Sequence, residues 1–215
     1  MADMRAYVGA KTPGRHTADG SQLGIRALRE GSISVADFLV GAGYEGRIFG
    51  VNAGSVGTPI ASAATTAIAA QRPMAWVRVP DGTLIIPLYA SIVVESTGAT
   101  TQGEIAMATS QNDVGNGTST AITPVSLNAA APKTTNCTAR RSSTGDCTAE
   151  TNLHEVTRWS FAASAVDQRF TWTFKDSGVP LILRGAASWL VYIGGNAVNS
   201  FTSLIWVELP EEDAN

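Results

Sequence analysis

Gln168-Arg169-Phe170-Thr171-Trp172-Thr173-Phe174, followed by Asp176-Ser177-Gly178, decides the fold class. Successive side chains of a strand point to opposite faces. An extended chain here therefore sets Phe170, Trp172 and Phe174 on one side and Arg169, Thr171 and Thr173 on the other. One aromatic face and one polar face are what an antiparallel strand shows when a single side meets a core. The Asp-Ser-Gly sequence then supplies a turn, because Asp bonds its own backbone and Gly accepts backbone angles that other residues avoid.

The same two-residue period continues on both sides of this stretch. Val156 to Ala163 carries Trp159 and Phe161, and Leu181 to Arg184, Ser188 to Ile193 and Thr202 to Leu209 complete the C-terminal third. In the last of these both faces are apolar, Leu204 and Trp206 on one and Ile205, Val207 and Leu209 on the other. That predicts a second contact beyond the core, between subunits. Upstream, Arg47 to Val51, Met74 to Val79 and Gly103 to Ser110 read as strands, with a turn at Pro80-Asp81-Gly82. A long strand follows that turn. Its even positions Leu84, Ile86, Leu88, Ala90, Ile92 and Val94 are predicted to share one face, and Pro87 predicts a bend or an edge position. Ala61 to Gln71 reads as a strand or irregular crossing rather than a helix, since Thr65, Thr66 and Ile68 are β-branched. About eight or nine short strands with Gly, Pro and Asn turns indicate an all-β chain folded as an antiparallel β-sandwich.

The chain divides into three parts. Residues 1–45 are Gly- and Ala-rich with little alternation and read as an extended N-terminal arm that orders on a neighbour, or as a loose terminus. A short helix is predicted at Ser34 to Val40, capped by Ser34, with Asp37 at N3, a small apolar face of Val35, Phe38 and Leu39, and Gly41 and Gly43 as its stop. Residues 46–210 form the sandwich. Residues 111–152, mostly Asn, Gly, Ser, Thr and Ala, are predicted to be a polar loop excursion that adds little to the core, with Val125 and Leu127 pinning part of it. Residues 211–215 are an acidic tail.

Charged residues make up only 15% of the chain, so its polar surface must come from Ser, Thr, Asn, Gln and Gly. Such surfaces suit chain-to-chain packing, because burying a hydroxyl costs less than burying a charge. The net charge of −3 and the lack of a Lys/Arg stripe argue against a nucleic-acid partner. No apolar run reaches the ~18 to 20 residues of a membrane helix. The first residues lack a signal peptide's apolar centre, so synthesis in a cytoplasm is expected.

No motif carries chemistry. Gly41 to Gly46 matches the spacing of a dinucleotide loop, but the helix pattern precedes it and the strand pattern follows it, the reverse of what phosphate binding needs, so it reads as a glycine hinge. Of the two histidines, His16 lies in the arm. His154 adjoins Glu155, and neighbours in a strand point apart. The carboxylates are scattered, and the spacing around Gln111-Asn112-Asp113 is not diagnostic of calcium. Trp172 and Trp206 alternate with other apolar residues, and Trp76, Trp159 and Trp189 do likewise, so most of the five tryptophans read as core rather than as sugar-stacking platforms. Cys137 and Cys147 form a poor zinc site, and their spacing fits either one loop-closing disulfide or two free thiols. No catalytic residue, cofactor or metal is expected. The residues expected at an interface are Phe38 and Leu39 in the arm and Ile205, Val207 and Leu209 in the last strand.

Gly46-Arg47-Ile48-Phe49, Gly54-Ser55-Val56-Gly57-Thr58-Pro59 and Ser203-Leu204-Ile205-Trp206-Val207-Glu208-Leu209 occur in an order that resembles a group of tailed-bacteriophage virion proteins. The likeness spans about residues 45–210 and is one of style rather than of a sharp motif. It implies a jelly-roll domain that trimerises on the capsid surface, bound to the major capsid protein as a decoration or cement protein, or that forms a head fibre. The alternative within the same fold is a receptor-binding module of a fibre, with a host glycan as partner. The resemblance carries no catalytic residues.

Overall fold

Strand β12 (Gln168–Thr173) lies against the long strand β6 (Thr83–Val94), Phe170 opposite Ile92 and Trp172 opposite Ala90. Trp172 is buried and Arg169 and Thr171 face out, as the two-residue period requires. The computed structural model describes residues 6–7, 22–23, 38–55, 57–62, 67–95, 102–142, 147–148, 152–162, 164, 166–195 and 198–210. The remaining elements are β1 (Ala6–Tyr7), β2 (Gln22–Leu23), α1 (Phe38–Tyr44), β3 (Ile48–Ala53), β4 (Ile60–Ala61), β5 (Ala75–Val79), β7 (Gly103–Ser110), β8 (Thr120–Ile122), β9 (Val125–Ser126), β10 (Thr138–Arg141), β11 (Leu153–Phe161), β13 (Leu183–Arg184), β14 (Ala187–Gly195) and β15 (Asn199–Pro210). The acidic tail and most of the arm, His16 included, lie outside the described residues; β1 and β2 pair with each other.

Two antiparallel sheets make a sandwich. One runs β11-β7-β14-β5-β10-β8; the other runs β12-β6-β15-β3-β9, with β13 beside β6 and β4 beside β15. The eight main strands pair in nested order: β3 with β15, β5 with β14, β6 with β12, β7 with β11. First meets last and the middle two form a hairpin, so the chain is folded double and then wrapped. Between the sheets lie Val51, Ile92, Leu204 and Trp206 from one and Val77, Met107, Trp189 and Val191 from the other. Trp172 meets Trp189 across the gap at 6.3 Å between ring centres, and Trp159 of β11 meets Phe170 of β12 at 6.1 Å, closing one side.

Several expectations are corrected. The helix begins no later than Phe38 and runs through Gly41 and Gly43 to Tyr44. Its stop is Gly46, at φ +70°, whose N–H bonds Gly43 O while Arg47 N–H bonds Ala42 O, a paired C-cap that needs the left-handed glycine. Gly41 to Gly46 is thus helix end and cap, not a hinge. In β6 the register slips beside Leu88. Ala90, Ile92 and Val94 face the core as expected, but beyond the slip the core residue is Ile85, and Ile86 and Leu88 are half-buried. Pro87 is not at a sheet edge. It sits where β6 passes from its β12 neighbour to its β13 neighbour, a gap that a residue without an N–H tolerates.

The excursion at 111–152 is built in rather than appended. It supplies β8, β9 and β10, and it places Cys137 and Ala139 in the inter-sheet core. The strand buried on both faces is β14 rather than β15. The outward side of its sheet carries Trp76, Ala106, Ala108, Leu190 and Tyr192, covered by Val114, Cys147, Ile68 and Leu153. Hydrogen bonds hold that cover down: Trp76 Nε1–H to Gly115 O at 3.2 Å, Tyr192 O–H to Ala70 O at 2.9 Å, and Ser188 O–H to Asn112 O at 3.0 Å. Polar residues that pattern as surface loop therefore act as a roof.

Candidate functional site

The sequence-derived site residues fall in separate places. Neither Cys137 nor Cys147 is in a disulfide, and both are buried, Cys137 between the sheets and Cys147 under the roof. The candidate disulfide is not made, because the two side chains belong to clusters on opposite faces of one sheet. Burial, reinforced by the neighbouring Glu208 carboxylate, pushes the Cys137 thiol well above the ordinary thiol range. Glu208 is itself buried and accepts hydrogen bonds from the Thr135 hydroxyl and from Asn136 N–H, the latter at 2.9 Å.

His154 is exposed on β11, and its neighbour Glu155 is bonded to Arg158 instead, Nε to Oε1 at 2.9 Å. That hydrogen bond holds the Glu155 carboxyl below its ordinary value. Asp113 is taken by Arg78, whose Nε donates to Oδ1 at 2.6 Å and whose Nη2 donates to Oδ2. Burial alone raises the Asp113 carboxyl; the bonds from Arg78 and from Gly115 N–H more than offset it and leave the group below the usual carboxylate range. The pair anchors the roof loop to β5 rather than offering a cation site. Among the described residues no three His, Cys, Asp or Glu side chains gather to hold a metal. Nor is any helix there long and apolar enough to cross a membrane.

Two surfaces remain. The first is at the β9 edge. Phe38, Val40 and Tyr44 of α1 and Val125 and Leu127 beside it are each at least half exposed. Val40, Gly43 and Tyr44 face Leu127, Ala129 and Ala130 across an apolar groove of about 440 Å³. Asn128 fixes its geometry. Its Nδ2 donates to Gly43 O and Tyr44 O at 3.0 and 3.1 Å, satisfying carbonyls at the helix end, while its Oδ1 accepts from Ala130 and Ala131 N–H. Leu39 is half-buried.

The second is the outward face of β12, β6, β15 and β3. Thr171, Ser91, Ser203 and Asn52 stand side by side across these four strands. Val93 and Phe201 border them on one side, Tyr89 and Ile205 on the other. Ile205 and Leu209 are half-buried and remain available to a partner, whereas Val207 is fully buried within the chain and offers no surface. The polar row across β12, β6, β15 and β3 was missed in the sequence, because single Ser, Thr and Asn residues on separate strands carry no local signal; only the register aligns them. No family model matches the chain, and no curated protein matches its sequence.

Proposed function

We propose that the chain is a non-enzymatic structural protein of a phage virion, a decoration or cement protein that binds the major capsid protein on the outside of the particle. The observation that carries this reading is the apolar groove between α1 and the β9 turn, at the root of the arm. Its side chains are exposed in the single chain yet held rigidly by Asn128, which is the form of a preformed protein-binding site. We read the nested strand pairing as a jelly roll, in line with the resemblance drawn from the sequence.

Physics makes such attachment useful. A protein that binds only the assembled shell stabilises it by mass action. Three copies acting together turn modest contacts into firm attachment, which favours a homotrimer. The test is light scattering on the purified protein and co-sedimentation with empty capsids. A trimer that pellets with capsids, and whose Val40→Asp and Tyr44→Asp variants remain in the supernatant while folding normally, supports the reading. A monomer that ignores capsids ends it.

A further inference from the structure

We propose that the outward face of β12, β6, β15 and β3 is a binding site for an acidic oligosaccharide, with Arg169 as the anchor for a sugar carboxylate. This site is separate from the α1 groove and does not rest on the capsid reading.

The argument starts with charge. Arg169 is exposed on β12, and its partners are hydroxyls: Nε donates to Ser91 Oγ at 3.1 Å and one Nη2 hydrogen to Tyr89 Oη at 3.0 Å. Arg78 and Arg158, by contrast, are engaged by carboxylates. The two hydroxyl bonds fix one edge of the guanidinium against β6, and among the described residues no hydrogen bond engages Nη1. A fixed planar cation with donors to spare is the preferred receptor for a carboxylate, which it meets with two parallel hydrogen bonds.

The surroundings select the class of molecule that brings the carboxylate. Beside Phe201, two strands from Arg169 and so ~10 Å away, a depression of about 330 Å³ is lined by Asn52, Gly54, Ser55, Phe201 and Ser203. That is at the small end of ligand sites, which run from ~300 Å³ upward. Its floor is rigid. Gly54, at φ +95°, lets the Phe201 ring lie against the turn, where a Cβ would approach Cδ1 to 3.1 Å. Ser203 O–H donates to Asn52 Oδ1 at 2.7 Å, which orients the amide, and among the described residues no hydrogen bond engages Nδ2. A half-exposed aromatic ring beside an oriented amide and a hydroxyl suits a sugar ring, which presents C–H groups on its face and hydroxyls at its rim.

A protein partner fits this face less well. Its apolar side chains are split by the polar row, and docking a flat protein surface would bury Arg169 with no carboxylate of its own, at a large desolvation cost. An oligosaccharide leaves the guanidinium wet on one side and pairs it on the other.

The experiment titrates the full chain with galacturonate oligomers, with the same oligomers after carboxyl reduction, and with inorganic polyphosphate, by calorimetry. Expected is saturable binding of the acidic oligomer that weakens with salt. It falls at least about tenfold, or about 1.4 kcal/mol, on carboxyl reduction or in Arg169→Gln. Phe201→Ala and Asn52→Ala weaken both sugars and leave polyphosphate unaffected. All three positions are at least partly exposed, and a single cooperative thermal unfolding transition in each variant checks its fold. If galacturonate, mannuronate and sialate oligomers all fail to bind, the site is not saccharide-binding. If Arg169→Gln binds as well as the parent, or polyphosphate matches the sugars and Phe201→Ala changes nothing, the proposal is overturned as well. Capsid attachment is read separately, and Arg169→Gln leaves it intact.

Discussion

The two sheets of the sandwich treat their outward faces in opposite ways. On the β5–β7–β14 sheet that face is aromatic and aliphatic, with Trp76, Leu190 and Tyr192 buried beneath the chain's own loops. On the β12–β6–β15–β3 sheet it stays open, with Ser203, Asn52, Thr171 and Arg169 at or near solvent and Tyr89, Phe201 and Ile205 half-buried. The contrast shows what each sheet is for. The roofed one makes a second core and adds stability, because apolar area removed from water on both sides counts twice. The open one needs no roof, since hydroxyls and an amide already satisfy one another across the strands, and it remains available to a ligand or neighbour.

The contrast is most easily broken by deleting a ring from each face. Trp76→Ala empties the centre of the roofed cluster and is expected to cost ~3–5 kcal/mol in urea unfolding, whereas Phe201→Ala on the open face costs about 1 kcal/mol. Equal losses would mean that the open face is also packed. Thiol labelling separates the same layers kinetically. Cys147 is expected to react as the roof opens locally and Cys137 only on global unfolding, because its thiolate is suppressed by burial and by Glu208. Immediate labelling of Cys147 would show that the roof is not closed.

The remaining two effects are smaller. Thr202 faces the interior with its hydroxyl buried and, among the described residues, without a hydrogen-bond partner. Thr202→Val is expected to stabilise the protein by about 1 kcal/mol, a rise of roughly 2–4 °C in Tm for a chain of this size. A loss of stability would reveal a partner for the hydroxyl. Asp113 makes the roof weakly pH-sensitive. Its folded carboxyl lies below the unfolded value, so its stabilising contribution is whole above the ordinary carboxylate pKa of about 3.9. It fades as pH falls through the folded value. The indole N–H resonance of Trp76, bonded to Gly115 O, should shift in that acid window and not in Arg78→Met, where the pair is already broken.

How far the sequence could be read depends on the range of each interaction. Gln168 to Phe174 disclosed a half-buried strand because alternation is local and survives without a partner. Gly103 to Ser110 read as a strand as well, but the burial of both its faces came only with the roof. The phase of β6 was misread beyond Pro87, because a one-residue slip against β15 exchanges the faces and leaves no trace in composition. The end of the helix was placed too early because Gly41 and Gly43 are poor helix formers, yet the Gly46 cap and the Asn128 side chain offset their cost; the expected cap Ser34, with Val35 and Asp37, lies outside the described residues.

By itself the sequence determined the all-β class, the antiparallel two-layer arrangement and the burial of Trp76, Trp172, Trp189 and Trp206, since each follows from side-chain period and from the exclusion of apolar surface from water. Only the tertiary structure decided which sheet face is covered, that Cys137 and Cys147 are kept apart, that Val207 is buried while Ile205 is not, and that Thr171, Ser91, Ser203 and Asn52 lie in one row with Arg169 and Phe201 in the next. These are matters of register and of long-range docking. They arise when strands far apart in the chain align, and no local pattern of residues encodes that alignment.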